Sequence, residues 1–226
     1  MRVIAGSAGG IRLAVPKRGV RPTMDRVKAA IFSSLGDAVI GARVLDLFAG
    51  SGGLGIEALS RGASSAVFVE NDRQSAKAID ANLAKTKLKG RVRHQDVFDF
   101  LRYAAGVEAA VPAAGRLAQA PPQQQIIEKF TIIFADPPYE KTETGGRFTE
   151  KLLTNEALPQ LLETDGIFVL EKRPDEVLPE MKLWHMVRRK RYGATEVLLV
   201  SAVRKEFTRR SPASEARDEG GQSAIQ

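Results

Sequence analysis

The chain has 226 residues, of which 43% are apolar, and a formal net charge of +7. This length suits one domain with a sizeable core. The sequence has no cysteine and two histidines, which excludes disulfides and thiolate chemistry and predicts no metal site. No apolar run approaches the roughly 20 residues that span a bilayer. We therefore expect a cytoplasmic protein with no membrane partner.

The positive charge is concentrated in two segments. Residues 1–43 carry eight Lys and Arg against two acids, and residues 172–210 carry eleven against five, so each segment is +6. Residues 44–171 are close to neutral, at −3. Basic segments on both sides of a neutral domain indicate a polyanionic partner, most simply nucleic acid. An ordinary solubilising surface is the alternative.

Residues 1–42 are predicted to form a basic hairpin followed by a helix. Short apolar stretches lie on both sides of Gly9 and Gly10, as in a hairpin. Thr23 is a suitable N-cap for the helix. Residues at helical spacing then predict its buried stripe, namely Val27, Ile31 and Leu35.

The next twenty residues, RVLDLFAGSGGLGIEALSRG, have the pattern of a strand, a glycine turn and a helix. The apolar strand, Val44–Phe48, is interrupted only by Asp46, a carboxylate that needs a partner. Gly50, Gly52 and Gly55 follow in G-x-G-x-x-G spacing, which suits a backbone that approaches a ligand closely. The pattern predicts a site for a nucleotide-type cofactor. A tight turn without a ligand is the alternative.

The second and third strands should each deliver an acid to the same site. Residues 65–70 form an apolar strand that ends in Glu70, twenty residues beyond Gly50. A carboxylate at this position accepts hydrogen bonds from ribose hydroxyls. Asp72 is a suitable cap for the following helix. The third strand, residues 92–95, is closed by Asp96.

Two segments lack the pattern of regular structure. Residues 104–128 are rich in Ala, Pro and Gln with no sustained period, which predicts an insertion loop. Residues 208–226 are polar and are expected to form a disordered tail. The predicted cofactor domain, 43–207, thus contains one insertion and precedes one tail.

The remaining elements complete a doubly wound sheet. Residues 130–135 predict a buried strand, and a leucine-rich helix follows, broken or kinked at Pro159. Further strands are predicted at 166–171, 183–191 and 195–203, the last two as an antiparallel hairpin. Ligands bind beyond the carboxyl ends of the strands in such α/β folds. The glycine turn and the acids after four separate strands should therefore converge there.

Asp136-Pro137-Pro138-Tyr139 follows the fourth strand and predicts a site for an amine. The prolines fix the backbone and remove amide donors. The Asp136 carboxylate and the Pro137 carbonyl can therefore both accept hydrogen bonds from an exocyclic amine, and Tyr139 offers a ring on which a base can stack. A proline-ended turn packed by a tyrosine is the structural alternative.

Several of these segments together resemble the RsmD family of bacterial 16S rRNA guanine-N2 methyltransferases. The resemblance spans most of residues 2–200, and RPTMDR preceding LDLFAGSG is its most specific part. The other matching segments are RVIAGSAGGIRL, VEND, FADPPY and YGATEVLL.

The resemblance implies a class I, Rossmann-like α/β methyltransferase fold with a seven-stranded, mostly parallel sheet ending in an antiparallel hairpin. It implies S-adenosylmethionine as methyl donor, leaving S-adenosylhomocysteine, and 16S rRNA as substrate, free or within an assembling small subunit. We also expect the protein to be a monomer. The implied catalytic residues are Asp136, Pro137, Pro138 and Tyr139. The implied cofactor-binding residues are Thr23, Asp46, Phe48, Ala49, Gly50, Ser51, Gly52, Glu70, Asn71, Asp96 and Val97.

Three other functions fit parts of the sequence. Adenine-N6 methyltransferases of DNA or RNA use similar motifs, although the chain has no room for a separate target-recognition domain. An NAD-dependent oxidoreductase would use the glycine turn and Glu70 but not the two prolines. A catalytically silent RNA-binding module would use only the basic segments.

Overall fold

The computed structural model describes residues 1–16, 25–104, 128–138 and 147–204. Its helices are α1 (Asp25–Leu35), α2 (Gly53–Ser60), α3 (Arg73–Thr86), α4 (Val97–Ala104), α5 (Phe148–Leu153) and α6 (Ala157–Leu161). Its strands are β1 (Arg43–Leu47), β2 (Ser65–Glu70), β3 (Arg91–His94), β4 (Phe130–Ala135), β5 (Leu162–Lys172), β6 (Trp184–Tyr192) and β7 (Thr195–Ala202). No helix among these residues is long and apolar enough to cross a membrane.

The strands form one seven-stranded sheet in the order β3-β2-β1-β4-β5-β7-β6. The first five strands in this order pair in parallel. β7 is antiparallel to both β5 and β6, so β6 runs in the same direction as β5. The strand order reverses between β1 and β4, which is where such folds place ligands. The predicted fold class is confirmed.

Alternate residues of the strands build a separate apolar layer on each side of the sheet. Val44 and Phe134 belong to the layer covered by α1, α2 and α3. Leu45 and Ile133 belong to the layer covered by α4, α5 and α6. Because both sides are covered, β4 is apolar along almost its whole length, as parallel central strands usually are.

The N-terminal segment lies against the α1–α3 layer. One antiparallel bridge, Arg2 with Arg12, joins its two arms, so the predicted hairpin is present in short form. Val3 and Leu13 are buried in the same cluster as α1 and the strands. The division of the chain at residue 42 stays a prediction, and the predicted insertion (except residues 104 and 128) and tail lie outside the described residues.

A buried ion pair fastens this N-terminal segment to the helices. Lys28 on α1 and Glu57 on α2 have fully buried side chains, and Nζ of Lys28 lies 3.1 Å from Oε2 of Glu57. Lys28 also donates to the carbonyl of Arg2. The other donors to the Glu57 carboxylate are the amides of Ile4 (2.7 Å) and Ala5 (3.0 Å) and Nε of Arg61 (2.8 Å).

The prediction that Pro159 breaks the helix after residue 147 is wrong. The break comes earlier, between α5 and α6, where Oδ1 of Asn155 accepts the amides of Ala157 and Leu158 at 3.0 and 3.1 Å. Pro159 lies in the first turn of α6, where a missing N–H costs no helical hydrogen bond. β5 then begins at Leu162, four residues before its predicted start.

Candidate active site

Four acids lie at the carboxyl ends of four neighbouring strands. Asp46 is the second-last residue of β1, paired with Phe68 on one side and Phe134 on the other. Glu70 is the last residue of β2, Asp96 follows β3, and Asp136 follows β4 directly. The structure therefore brings these predicted residues to one edge of the sheet.

Glycine is required in the turn between β1 and α2. Gly50 and Gly52 have φ values of +54° and +82°, a region that favours glycine. A Cβ on Gly55 would lie 2.3 Å from the Phe68 ring. The Gly55 amide donates to Oδ2 of Asp46 at 2.8 Å, which supplies the partner that the buried carboxylate needs. The main chain of the turn therefore lies close to the site, and the N-terminus of α2 points toward the site.

The prediction that Phe48 extends the first strand is wrong. β1 ends at Leu47, and Phe48 has a φ of +56°, which is unusual for an aromatic residue. The Phe48 ring packs edge-on against Phe98 and Phe148, with centroids 6.2 and 5.3 Å away. These contacts stabilise a conformation that would otherwise be unfavourable, beside the glycine turn.

Asn82 on α3 supports the turn from behind, and sequence reasoning missed it. The side chain is fully buried. Its Nδ2 donates to the carbonyls of Ser51 and Ala14, each at 2.9 Å, and its Oδ1 accepts the amide of Ala14 at 2.7 Å. Asn82 therefore links the predicted cofactor turn to the N-terminal segment.

Two backbone amides position the Glu70 carboxylate, one in the glycine turn and one just after β2. Its Oε2 accepts the amide of Gly50 and its Oε1 accepts the amide of Asp72, both at 2.7 Å. A carboxylate has about four acceptor positions. Glu70 can therefore accept ribose hydroxyls while still holding the glycine turn.

Asp96, just beyond the carboxyl end of β3, caps the N-terminus of α4. Its Oδ1 accepts the amides of Phe98 and Asp99 at 2.8 and 3.2 Å, which is an N-cap contact. Val97, which is among the predicted cofactor-binding residues, is the buried first residue of that helix. Asn71 is exposed, and its carbonyl lies 3.0 Å from Nε2 of His94.

The predicted acceptor loop begins where β4 ends. Asp136 is half-buried, Pro137 is buried and Pro138 is exposed. Thr23 and Tyr139 lie outside the described residues. The register, in which Ala135 pairs with Leu170, places Asp136 level with Glu171 of β5.

Glu171 is a fifth acid of this site, and sequence reasoning did not single it out. Its side chain is 3% exposed, and within the described residues its Oε1 has no hydrogen-bond partner. Burial raises its pKa well above the ordinary value, and the charges of Asp136 and Asp46 raise it further. The three carboxyls therefore lie close enough to repel one another.

The pKa of Asp46 is shifted in the same direction as that of Glu171. Burial raises its pKa well above the ordinary value, the Gly55 amide lowers it, and Asp136 and Glu70 raise it. Within the described ranges no group of His, Asp and Glu has the arrangement of a metal site. Asp46 and Glu171 are therefore both carboxyls whose charged forms are disfavoured in the unliganded protein.

Comparisons with known proteins identify the family. The family model described as Conserved hypothetical protein 95 matches residues 1–201. The chain belongs to this family. A relative named putative rRNA methyltransferase YlbH, from Bacillus subtilis, is 39% identical over 88% of this chain and 97% of its own length.

Two further comparisons agree with that assignment. Ribosomal RNA small subunit methyltransferase D of Haemophilus influenzae is 30% identical over 85% of this chain and 89% of its own. A solved structure of the putative methyltransferase yhhF from Escherichia coli is 28% identical, with a TM-score of 0.64 over 89% of this chain and 97% of that one. The resemblance to the RsmD family is thereby confirmed.

We predict that Glu171→Gln makes the unliganded protein more stable at pH 8 and little different near pH 4. The folded protein keeps a proton on Glu171 that the unfolded chain releases above about pH 4.3. The free energy of unfolding of the wild type therefore falls as pH rises toward the raised pKa of Glu171. Above that pKa, the free energy of unfolding stays at the lowered value. The amide that replaces the carboxyl in this variant cannot ionise, so the variant lacks this fall.

Urea unfolding across this pH range measures the difference. Glu180→Gln is the matched control, because the Glu180 side chain is 77% exposed and its removal should leave the pH dependence unchanged. Parallel pH curves for wild type and Glu171→Gln would contradict the prediction.

Proposed function

We propose that the protein transfers a methyl group from S-adenosylmethionine to the exocyclic N2 amine of a guanine in small-subunit rRNA. Two relatives of the chain are named as rRNA methyltransferases, and the residues of the site fit S-adenosylmethionine as the methyl donor. The observation that supports the acceptor is the position of Asp136 and Pro137, immediately after β4. β4 neighbours β1, whose turn forms the cofactor side, so donor and acceptor would lie side by side.

The residues of the site fit the proposed cofactor in three parts. The glycine turn, Asp46 and Thr23 would hold the methionine end, where the α2 N-terminus favours a carboxylate. Glu70 would accept the ribose hydroxyls. Asp96 and the Val97 amide would bind the adenine.

The acceptor residues address a specific chemical difficulty. The lone pair of the guanine amine is conjugated with the ring, which makes N2 a poor nucleophile. Hydrogen bonds from the two amine hydrogens to the Asp136 carboxylate and the Pro137 carbonyl would direct the lone pair outward. S-Adenosylmethionine supplies an electrophilic methyl on a sulfonium. Asp136 would then stabilise the positive charge that develops on N2, so positioning and electrostatics account for the rate.

The basic segments support rRNA as the partner. Their charges suit phosphates whether the rRNA is free or in an assembling small subunit. This substrate would place the protein in the cytoplasm. We further propose that it acts as a monomer.

Methyl transfer from tritiated S-adenosylmethionine to rRNA of an undermethylated strain tests the function. Nucleoside analysis should recover the label as N2-methylguanosine. Label in N6-methyladenosine would support the adenine alternative. Absence of transfer, with RNA still bound, would support the silent RNA-binding module.

We predict that Glu70→Ala weakens the binding of S-adenosylhomocysteine about 10-fold to 150-fold, because hydrogen bonds to a charged group contribute about 1.5 to 3 kcal/mol. Calorimetry measures the loss. Glu70→Ala could weaken binding by removing contacts to the ribose or by loosening the glycine turn. An analogue of S-adenosylhomocysteine that lacks the 2′-hydroxyl distinguishes these two effects. The wild type should bind this analogue more weakly, whereas Glu70→Ala should bind both ligands equally. Undiminished affinity of the variant would refute the assignment.

A further inference from the structure

The strand β6 carries four consecutive basic residues, Arg188–Arg191, which we call the basic strip. β6 is an edge strand of the sheet, and all four residues are exposed. Successive side chains of a strand point to opposite sides. The strip therefore presents positive charge on both sides of one sheet edge.

Most of this charge is not neutralised within the described part of the chain. Of the strip, only Arg189 has a carboxylate within 4 Å there. That carboxylate, Glu196, is shared with the buried Lys172, whose Nζ lies 3.0 Å from Oε2. Two cations thus share one anion. Arg188 and Arg191 instead donate to neutral groups, the Ser34 hydroxyl and the Gly193 carbonyl.

The last residues of the strip lie at the end of the sheet where the active site is, level with the carboxyl ends of the parallel strands. Lys190 pairs with Val197, and Val197 pairs with Glu171 of β5. Because neighbouring strands lie about 4.8 Å apart, the Lys190 backbone is about 14 Å from that of Asp136, which is level with Glu171. This distance corresponds to about four stacked nucleotides.

The strip also lies on the acceptor side of the site. The residues assigned to the cofactor, apart from Thr23, lie at or after the carboxyl ends of β1, β2 and β3, on the opposite side of β4. RNA that extends from a base held at Asp136 toward β6 would pass the carboxyl end of β5 on its way to the strip. Tyr192, partly buried at the end of β6, adds a ring 5.6 Å from Nζ of Lys190. Cations beside an aromatic ring are typical of surfaces that bind single-stranded nucleic acid.

We propose that Lys190 and Arg191, at the end of the basic strip, bind backbone phosphates of the rRNA about four nucleotides from the target guanine. This inference rests on the proposed function. It adds that substrate affinity depends on the edge strand β6, in contact with nucleotides that do not react.

The test compares two variants that each remove two positive charges. Lys190→Gln with Arg191→Gln changes the strip. Lys77→Gln with Lys89→Gln is the matched control, because both lysines are exposed and lie on α3 and just before β3, toward the far edge of the sheet. A third variant, Lys190→Arg with Arg191→Lys, keeps the charge and controls for changes in folding.

We expect the salt dependence of rRNA binding to show the difference. For single strands the slope of log K against log salt changes by about 0.7 per phosphate contact. The strip variant should lower the slope by about 1.4 and weaken binding about 25-fold at about 0.1 M salt. Its KM for rRNA should rise while its affinity for S-adenosylmethionine and its kcat at saturating rRNA are retained. The control and the charge-retaining variant should match the wild type.

Equal slopes for the strip variant and the control would overturn the proposal, whether both equal the wild type or both are lowered. Unchanged rRNA binding would overturn it as well and would leave another acidic partner, such as a protein, as the ligand of the strip. Failure of the proposed function is recognised separately. In that case the wild type itself would transfer no methyl group to rRNA.

Discussion

Asp136→Ala is expected to bind S-adenosylmethionine with wild-type affinity and to transfer its methyl group about 100-fold to 1,000-fold more slowly. Asp136 follows β4, whereas the residues assigned to the cofactor, apart from Thr23, lie at or after the carboxyl ends of β1, β2 and β3. The variant should therefore lose the contact that directs the guanine amine and stabilises its developing charge. Loss of one such preorganised contact commonly costs this much in rate.

Single-turnover methylation of rRNA and calorimetry with the cofactor measure the two quantities separately. Asp165→Ala is a suitable control, because Asp165 is exposed and precedes the buried part of β5. Asp136→Asn should be intermediate, since its amide oxygen still accepts a hydrogen bond but carries no charge. Methylation by Asp136→Ala at the parent rate would show that Asp136 has no part in the reaction.

Glu57→Ala should lower the free energy of unfolding by about 3 to 5 kcal/mol, the usual result of breaking a buried ion pair from one side. The substitution leaves Lys28 charged in a fully buried position. It also leaves the amides of Ile4 and Ala5 without their acceptor. Such a loss is a large share of the roughly 5 to 15 kcal/mol that stabilises a typical domain.

Substitution of Lys28, the ion-pair partner of Glu57, is the internal control. Lys28→Met should cost less, because Glu57 would keep three donors, the amides of Ile4 and Ala5 and the Arg61 side chain at 2.8 Å. Urea unfolding at neutral pH compares the two variants. If Lys28→Met were the more damaging, the stabilising contribution would come from the lysine stem rather than from the carboxylate network.

The cofactor side of the site could be predicted because its signals are local. The β1–α2 turn is encoded in consecutive residues, and the spacing of Gly50, Gly52 and Gly55 reflects a backbone requirement that no other residue meets as well. The separation of Glu70 from Gly50 likewise predicts its place. The structure puts both at the carboxyl ends of adjacent strands, as expected.

The residues that were missed depend on partners distant in sequence. Asn82 has the appearance of an ordinary polar residue of an amphipathic helix, and only its contact with Ala14, 68 residues away, shows its role. Glu171 ends an apolar strand, and only the β4–β5 register places it beside Asp136. Neither contact leaves a periodic pattern in the sequence.

Local backbone conformation explains why the predictions for Pro159 and Phe48 were wrong. Pro159 suggests a helix break, but the side chain of Asn155 caps α6 and separates it from α5 before the proline is reached. Phe48 continues the apolar run of β1, yet its positive φ ends the strand at Leu47. In both cases a local backbone conformation outweighed the pattern of residue types.

The basic character of β6 has a second consequence, for solubility. Among the described strands, the other edge strand of the sheet is β3, which carries Arg91 and Arg93. Exposed strand edges can pair with one another and aggregate, and like charges oppose such pairing. An edge-to-edge contact between two copies that involves the basic strip would therefore bring like charges together. Removing charge from β6 should therefore also increase light scattering at high protein concentration.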